Sequence, residues 1–149
     1  MNKDIVKEYG DVLHDPSSIV DRPLEVLSVG PKLDIALGGG VPEGSLFIMT
    51  GPEKVGKTVT ALTFCANAQK HYERKVYYAN IEGRLKKRDL EGIVDLDLDS
   101  EKMQIIGSTE GNILSAEKYL SIVDNIVHTQ PGSLAVVDSF SALSSEAEL

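Results

Sequence analysis

The chain has one cysteine, Cys65, so no internal disulfide can form. It has no run of about 18 apolar residues, which excludes a membrane-crossing helix. Met1 to Glu8 lacks the apolar centre of a secretion signal. Positive charge is short: 15 Lys and Arg against 23 Asp and Glu leave a net charge of −8. That argues against a generic basic nucleic-acid-binding surface, so any DNA contact needs a local basic patch or other segments. The three histidines, His14, His71 and His128, show no metal-ligand spacing and read as surface residues near element ends. Asp95 to Ser100 holds three aspartates but lacks the glycine and distal glutamate of a calcium loop. What is present is ordinary: 149 residues, 42% hydrophobic and 26% charged, enough for one domain with a core.

One stretch organises the rest. Gly51-Pro52-Glu53-Lys54-Val55-Gly56-Lys57-Thr58 fits the P-loop pattern G-x-x-x-x-G-K-[ST]. It follows an apolar run, Ser45 to Thr50, which reads as the first core strand, and it opens an apolar-periodic helix, Val59 to Gln69. Glycines let backbone N–H groups approach phosphate oxygens without a Cβ in the way. The helix behind the loop points its partly positive end at the same spot. Lys57 adds a full charge for the terminal phosphates, and the Thr58 hydroxyl suits Mg²⁺. Cys65, inside that helix, reads as a small buried packing residue.

Upstream, residues 4–13 read as a short helix broken by Asp15 to Ser18, and Ile19 to Val29 as extended chain, with Pro23 opposing a helix. This part either packs on the main sheet or docks on a neighbouring subunit. Lys32 to Leu37 reads as a helix ended by Gly38-Gly39-Gly40, a C-cap with a loop or a close backbone approach. Val41 to Gly44 turns into the strand before the P-loop. Downstream, His71 to Arg74 connects to a strand, Lys75 to Ile81, which ends at Glu82-Gly83. Arg84-Leu85-Lys86-Lys87-Arg88 is a basic run, either a solvated helix start or a contact to phosphate or an acidic neighbour. Asp89 to Val94 reads as helix, Asp95 to Ser100 as acidic loop, and Met103 to Gly107 as strand. Asn112 is placed to cap a helix from Ile113 to His128 whose buried face would carry Ile113, Ala116, Leu120, Val123 and Val127. Ser133 to Asp138 reads as a fully buried strand.

Alternating strands and helices predict an α/β fold, a mostly parallel sheet with helices on both faces and right-handed crossovers. Ligands then bind at the carboxyl ends of the strands, where the P-loop, Glu82 and Asp138 all fall. Asp138 closes an apolar strand and resembles a Walker B aspartate, which holds Mg²⁺ opposite the P-loop hydroxyl. Glu82 either polarises a water for attack on the γ-phosphate or is a solvated glutamate in a turn.

Four stretches together resemble the RecA family of strand-exchange ATPases. They are Leu33 to Gly44, the P-loop Gly51 to Thr58, Ile81-Glu82, and Val136 to Leu143 continued by Glu146-Ala147-Glu148. Their form leans toward bacterial or phage members. The resemblance implies a RecA-like P-loop ATPase fold, with residues 1–27 as a subunit-docking segment and 28–149 as a partial ATP-binding core. It implies ATP bound by Gly51 to Thr58, Mg²⁺ held by Thr58 and Asp138, and catalysis by Glu82 and Lys57.

It further implies a cytoplasmic, DNA-dependent ATPase of recombination and repair. Such a protein self-associates into a filament or ring and engages single-stranded DNA through segments beyond residue 149. The chain departs from the family pattern at Asn80, where an aspartate is usual, and at Arg84 to Arg88, where an acidic residue lies near the adenine. It also ends before the family's sensor strand, which lies between the P-loop and Walker B strands, so those two strands are expected to pair directly or leave a gap. Alternatives are a RecA-fold helicase-type ATPase and a non-hydrolysing, nucleotide-gated recombination mediator.

Overall fold

The computed structural model of the chain describes residues 24–145 and Val20. The helix expected over 4–13, its break at 15–18 and Pro23 lie outside the described residues. Within the expected extended stretch, β1 spans Val26–Leu27. It is followed by α1 (Pro31–Leu37), β2 (Val41–Pro42), α2 (Lys57–Tyr72), β3 (Val76–Asn80), α3 (Lys87–Glu91), β4 (Met103–Ile106), α4 (Ala116–Thr129) and β5 (Leu134–Asp138), with a 3₁₀ turn at Phe140–Ala142.

The centre is β3. Its run Val76-Tyr77-Tyr78-Ala79 is buried on both faces, as an aromatic and β-branched strand inside a parallel sheet should be. β4 and β5 flank it, both parallel to it, in the order β4-β3-β5. The register sets Tyr78 opposite Ile105 on one side and Val136 on the other. On the Val76 and Tyr78 face, α2 contributes Ala61, Leu62 and Cys65 to a cluster with Met103. Tyr119 of α4 lies with Ile81 and Leu143 around a small cavity of about 150 Å³. Strand alternation puts Ile81 on the face opposite Tyr78, so helices cover both sides of the sheet.

The small pair β1–β2 is antiparallel, with Leu27 opposite Val41. Leu27, Val29 and Val41 pack on Phe64 and Ala68 of α2. Tyr72 pins them further: its hydroxyl donates to the Val26 carbonyl (3.0 Å) and accepts from the Ser28 N–H (3.2 Å). The three glycines divide the two expected roles. Gly38 is the left-handed C-cap of α1. Gly40 makes the close approach: a Cβ there would sit 2.4 Å from the Leu27 carbonyl oxygen. Asp34 ties the entry of α1 by accepting from the Ser28 hydroxyl (2.6 Å) and the Val29 (2.8 Å) and Gly30 (3.2 Å) N–H groups. The Ser28 bond leads in holding its carboxyl below the ordinary value.

Cys65 is fully buried, and burial pushes its thiol up to about 12. Gln69, also buried, spends its amide on the acidic loop, donating to the Asp97 carbonyl (3.0 Å) and accepting from the Asp97 N–H (3.0 Å).

Three expectations are corrected. Residues 45–50 are not a strand; they pair with neither β5 nor any other described strand. Phe47 and Met49 pack inward, while Leu46 and Ile48 are 85% and 69% exposed. A strand persists through its ladder, and among the described residues no strand pairs with this run to supply one. Of the two expected outcomes, direct pairing is not observed among the described residues.

For the same reason β5 is half-buried along its whole length, not fully buried: among the described strands it lies at the edge, bonded only to β3. Lastly, α4 starts at Ala116 with Ser115 as its cap, the hydroxyl accepting from the Lys118 N–H at 3.3 Å. Asn112 instead bridges Thr109 across a tight turn. The covered face is shifted about one position: Tyr119 and Ile126 are buried and Leu120 and Val127 exposed, while Ala116 and Val123 of the expected face are half-buried and Ile113, ahead of the helix, is exposed. The Tyr119 hydroxyl sets this rotation by accepting from the Ser108 N–H at 3.0 Å.

Candidate functional site

Parallel strands end at the same edge, so whatever follows β3 and β5 is brought together there. The register sets Asn80 opposite Asp138, and the Ile81 N–H donates to the Asp138 carbonyl at 2.9 Å. The loop 51–56 arrives at this edge from the half-buried Phe47 and Met49 anchors and feeds α2. Its sharp turns require left-handed backbone at Lys54 (φ 61°) and Gly56 (φ 93°).

Gly56 caps α2 with no side-chain hydrogen bond, and the first turn holds no acidic residue. The N–H groups at this helix end are therefore left for an anion. Gly51, Pro52, Glu53, Lys54 and Val55 are exposed, and Gly56, Lys57 and Thr58 half-buried. The Lys57 ammonium folds back over the loop, donating to the Gly51 (2.8 Å) and Pro52 (2.7 Å) carbonyls. Two neutral carbonyls are weak partners for a full charge, so a phosphate would compete well for it.

The Thr58 hydroxyl donates to Asp138 Oδ2 at 2.8 Å, across 80 residues of sequence. The same oxygen accepts from the Tyr78 hydroxyl at 2.7 Å. Tyr78 is fully buried. Burial first, then the hydrogen bond to Asp138 and its charge, hold the phenol above its ordinary pKa, so it is a fixed donor. Glu82, just past β3, accepts from the Ser139 hydroxyl through Oε1 (2.8 Å), and its Oε2 lies 3.4 Å from Arg84. Among the described residues no hydrogen bond or ion pair joins Glu82 directly to Lys57, Thr58 or Asp138. The link runs through Ser139, the residue after Asp138.

The rest of the basic run is a solvated helix start: Lys87 pairs with Glu91 (3.4 Å) and Arg88 with Asp89 (3.5 Å), all exposed.

The donor set suits Mg²⁺. Thr58 and Asp138 offer two hard oxygens side by side, and no group of three His, Cys, Asp or Glu among the described residues could enclose a metal. An ion there would need its remaining ligands from water and phosphate, as Mg²⁺ commonly does. Sequence reasoning passed over Tyr78 and Ser139. A signal for Tyr78 was present: a phenol in a fully buried strand needs a polar partner.

Fold and loop together define a parallel α/β protein built around a glycine-rich loop that opens α2. The sequence profile of the RecA N-terminal domain matches residues 3–149. The chain is 38% identical over 130 residues to Protein RecA of Streptomyces venezuelae, covering 86% of this chain and 32% of that one. It is 34% identical to the mitochondrial DNA repair protein recA homolog 3 of Arabidopsis thaliana, covering 94% and 31%. With Protein RecA of Phytoplasma mali the identity is 33%, covering 99% and 42%. The chain belongs to the RecA family. It spans between about a third and about two-fifths of the length of these relatives. No described helix is long and apolar enough to cross a membrane.

Proposed function

We propose that the chain is the Mg²⁺–ATP-binding core of a RecA-like DNA recombinase. The observation that carries this is the contact between the Thr58 hydroxyl and the Asp138 carboxylate, 2.8 Å apart at the end of β5. In this reading the loop from Gly51 to Gly56 wraps the phosphates with its N–H groups. Lys57 leaves the Gly51 and Pro52 carbonyls for the β- and γ-phosphate oxygens. Thr58 and Asp138 hold the cation, which when bound neutralises charge on the phosphates. Glu82, held by Ser139, orients and deprotonates the attacking water.

The parent protein would be a cytoplasmic, DNA-dependent ATPase of recombination and repair, assembling into a filament or ring. Residues 1–27 would serve as the docking segment and residues 28–149 as the partial core. Single-stranded DNA would be engaged by segments beyond residue 149, in keeping with the net charge of −8 here.

A non-hydrolysing, nucleotide-gated module is the second reading, and one observation favours it. Both oxygens of Glu82 are engaged, Oε1 by Ser139 and Oε2 by Arg84. ATP hydrolysis by wild type and Glu82→Gln separates the two. The 149-residue chain should turn over ATP slowly and without stimulation by single-stranded DNA, and Glu82→Gln should remove that turnover while leaving ATP affinity intact. Equal turnover in both proteins would discard the catalytic role. Robust DNA-stimulated hydrolysis by this chain would discard the assignment of DNA contacts to other segments.

A further inference from the structure

We infer that Tyr78 is a positioning residue for the Mg²⁺ site, fixing the Asp138 carboxylate from beneath so that it meets the cation in one orientation. The inference rests on the reading of Thr58 and Asp138 as the cation pair. Tyr78 lies in the middle of β3, fully buried, its side chain in the cluster of Leu62, Cys65, Val76 and Met103. Phenylalanine would fill that space equally well. The hydroxyl is costly in such a core unless it is bonded, and the partner described for it is Asp138 Oδ2, at 2.7 Å and 60 residues away.

The geometry of the carboxylate follows. Both donors, Tyr78 below and Thr58 beside, fall on Oδ2, which leaves Oδ1 without a hydrogen-bond partner among the described residues. The Thr58 hydroxyl has a second duty in this reading, because its oxygen would also serve the cation. The Tyr78 bond has none. It comes from a rigid strand in register with β5, Tyr78 opposite Val136 and Asn80 opposite Asp138. It therefore keeps the carboxylate plane fixed whether or not the cation is bound. Groups that orient a metal ligand from behind commonly change metal affinity by about 10- to 100-fold when removed.

The test is Tyr78→Phe in the 149-residue chain, with folding checked by circular dichroism. Binding of a fluorescent ATP analogue is titrated in EDTA and across Mg²⁺ concentrations. The expected result is a half-saturating Mg²⁺ concentration raised by about 10-fold, with affinity in EDTA changed by less than twofold. In an Asp138→Asn background, Tyr78→Phe should add no further Mg²⁺ defect. An unchanged Mg²⁺ midpoint in Tyr78→Phe overturns the inference alone, as does equal weakening with and without Mg²⁺, which marks a packing role. If wild type binds the analogue no better with Mg²⁺ than in EDTA, the cation reading fails and the inference falls with it. If Tyr78→Phe does not fold, the hydroxyl is needed for folding and the positioning role is likewise overturned.

Discussion

Replacing Asp138 by alanine should cost stability through Tyr78 more than through anything at the surface. The Tyr78 hydroxyl is fully buried and donates to Asp138 Oδ2 at 2.7 Å. Alanine deletes the acceptor and leaves the hydroxyl of a fully buried side chain without the partner described for it. A hydrogen bond to a charged group contributes about 1.5–3 kcal/mol, and an orphaned buried donor costs about 1–3 kcal/mol. These overlap in part, so Asp138→Ala is expected to lose about 2–4 kcal/mol. Thr58, half-buried at the site edge, can bond to water instead and adds little.

Asp138→Asn keeps a carbonyl acceptor and should lose only about 1 kcal/mol. The double variant Tyr78→Phe with Asp138→Ala removes donor and acceptor together. It should be more stable than Asp138→Ala alone, with a coupling energy of about 1.5–3 kcal/mol between the two sites. Urea unfolding reads this directly, as midpoint shifts at constant slope. Additive losses, with coupling below about 0.5 kcal/mol, would refute the reasoning.

Other parts of the fold are open to equally direct checks. Cys65, fully buried with its thiol pushed up to about 12, should resist alkylation in the native chain and react at once in urea; prompt native labelling would contradict the packing. Gly40→Ala should destabilise by about 1–3 kcal/mol, because the added Cβ meets the Leu27 carbonyl oxygen at 2.4 Å and the backbone sits at φ 136°; a neutral result would contradict the β1–β2 contact. Asp34 has a folded pKa held below its unfolded value of 3.8, chiefly by Ser28. Its contribution is therefore complete above that value and is lost as pH falls through the lower folded one. Asp34→Asn should lower stability at neutral pH and make the acid limb shallower; an unchanged acid limb would contradict the cap.

Much of this was legible in the sequence because it is local. The P-loop announces itself by spacing, β3 by a buried aromatic run, and Asp138 by its place at the end of an apolar strand. What was not legible depends on partners far along the chain. Ser45 to Thr50 has a strand's composition, but it lacks a neighbouring strand to bond, and composition does not report that absence. The α4 face was misjudged because a tyrosine, Tyr119, is buried through a hydroxyl contact to Ser108, which outweighs the apolar count. The meeting of Thr58 with Asp138 was legible from the two motifs, but the share of Tyr78, 60 positions from Asp138, appears only through the register of β3 with β5.

The most direct measurement is ATP affinity by isothermal titration, with Mg²⁺ and in EDTA, for wild type and Lys57→Ala. Wild type should bind ATP, Mg²⁺ should tighten it, and Lys57→Ala should weaken binding in Mg²⁺ by about tenfold or more through loss of a charge-assisted contact to phosphate. Equal affinity in the two proteins, or no binding to wild type at all, would contradict this expectation.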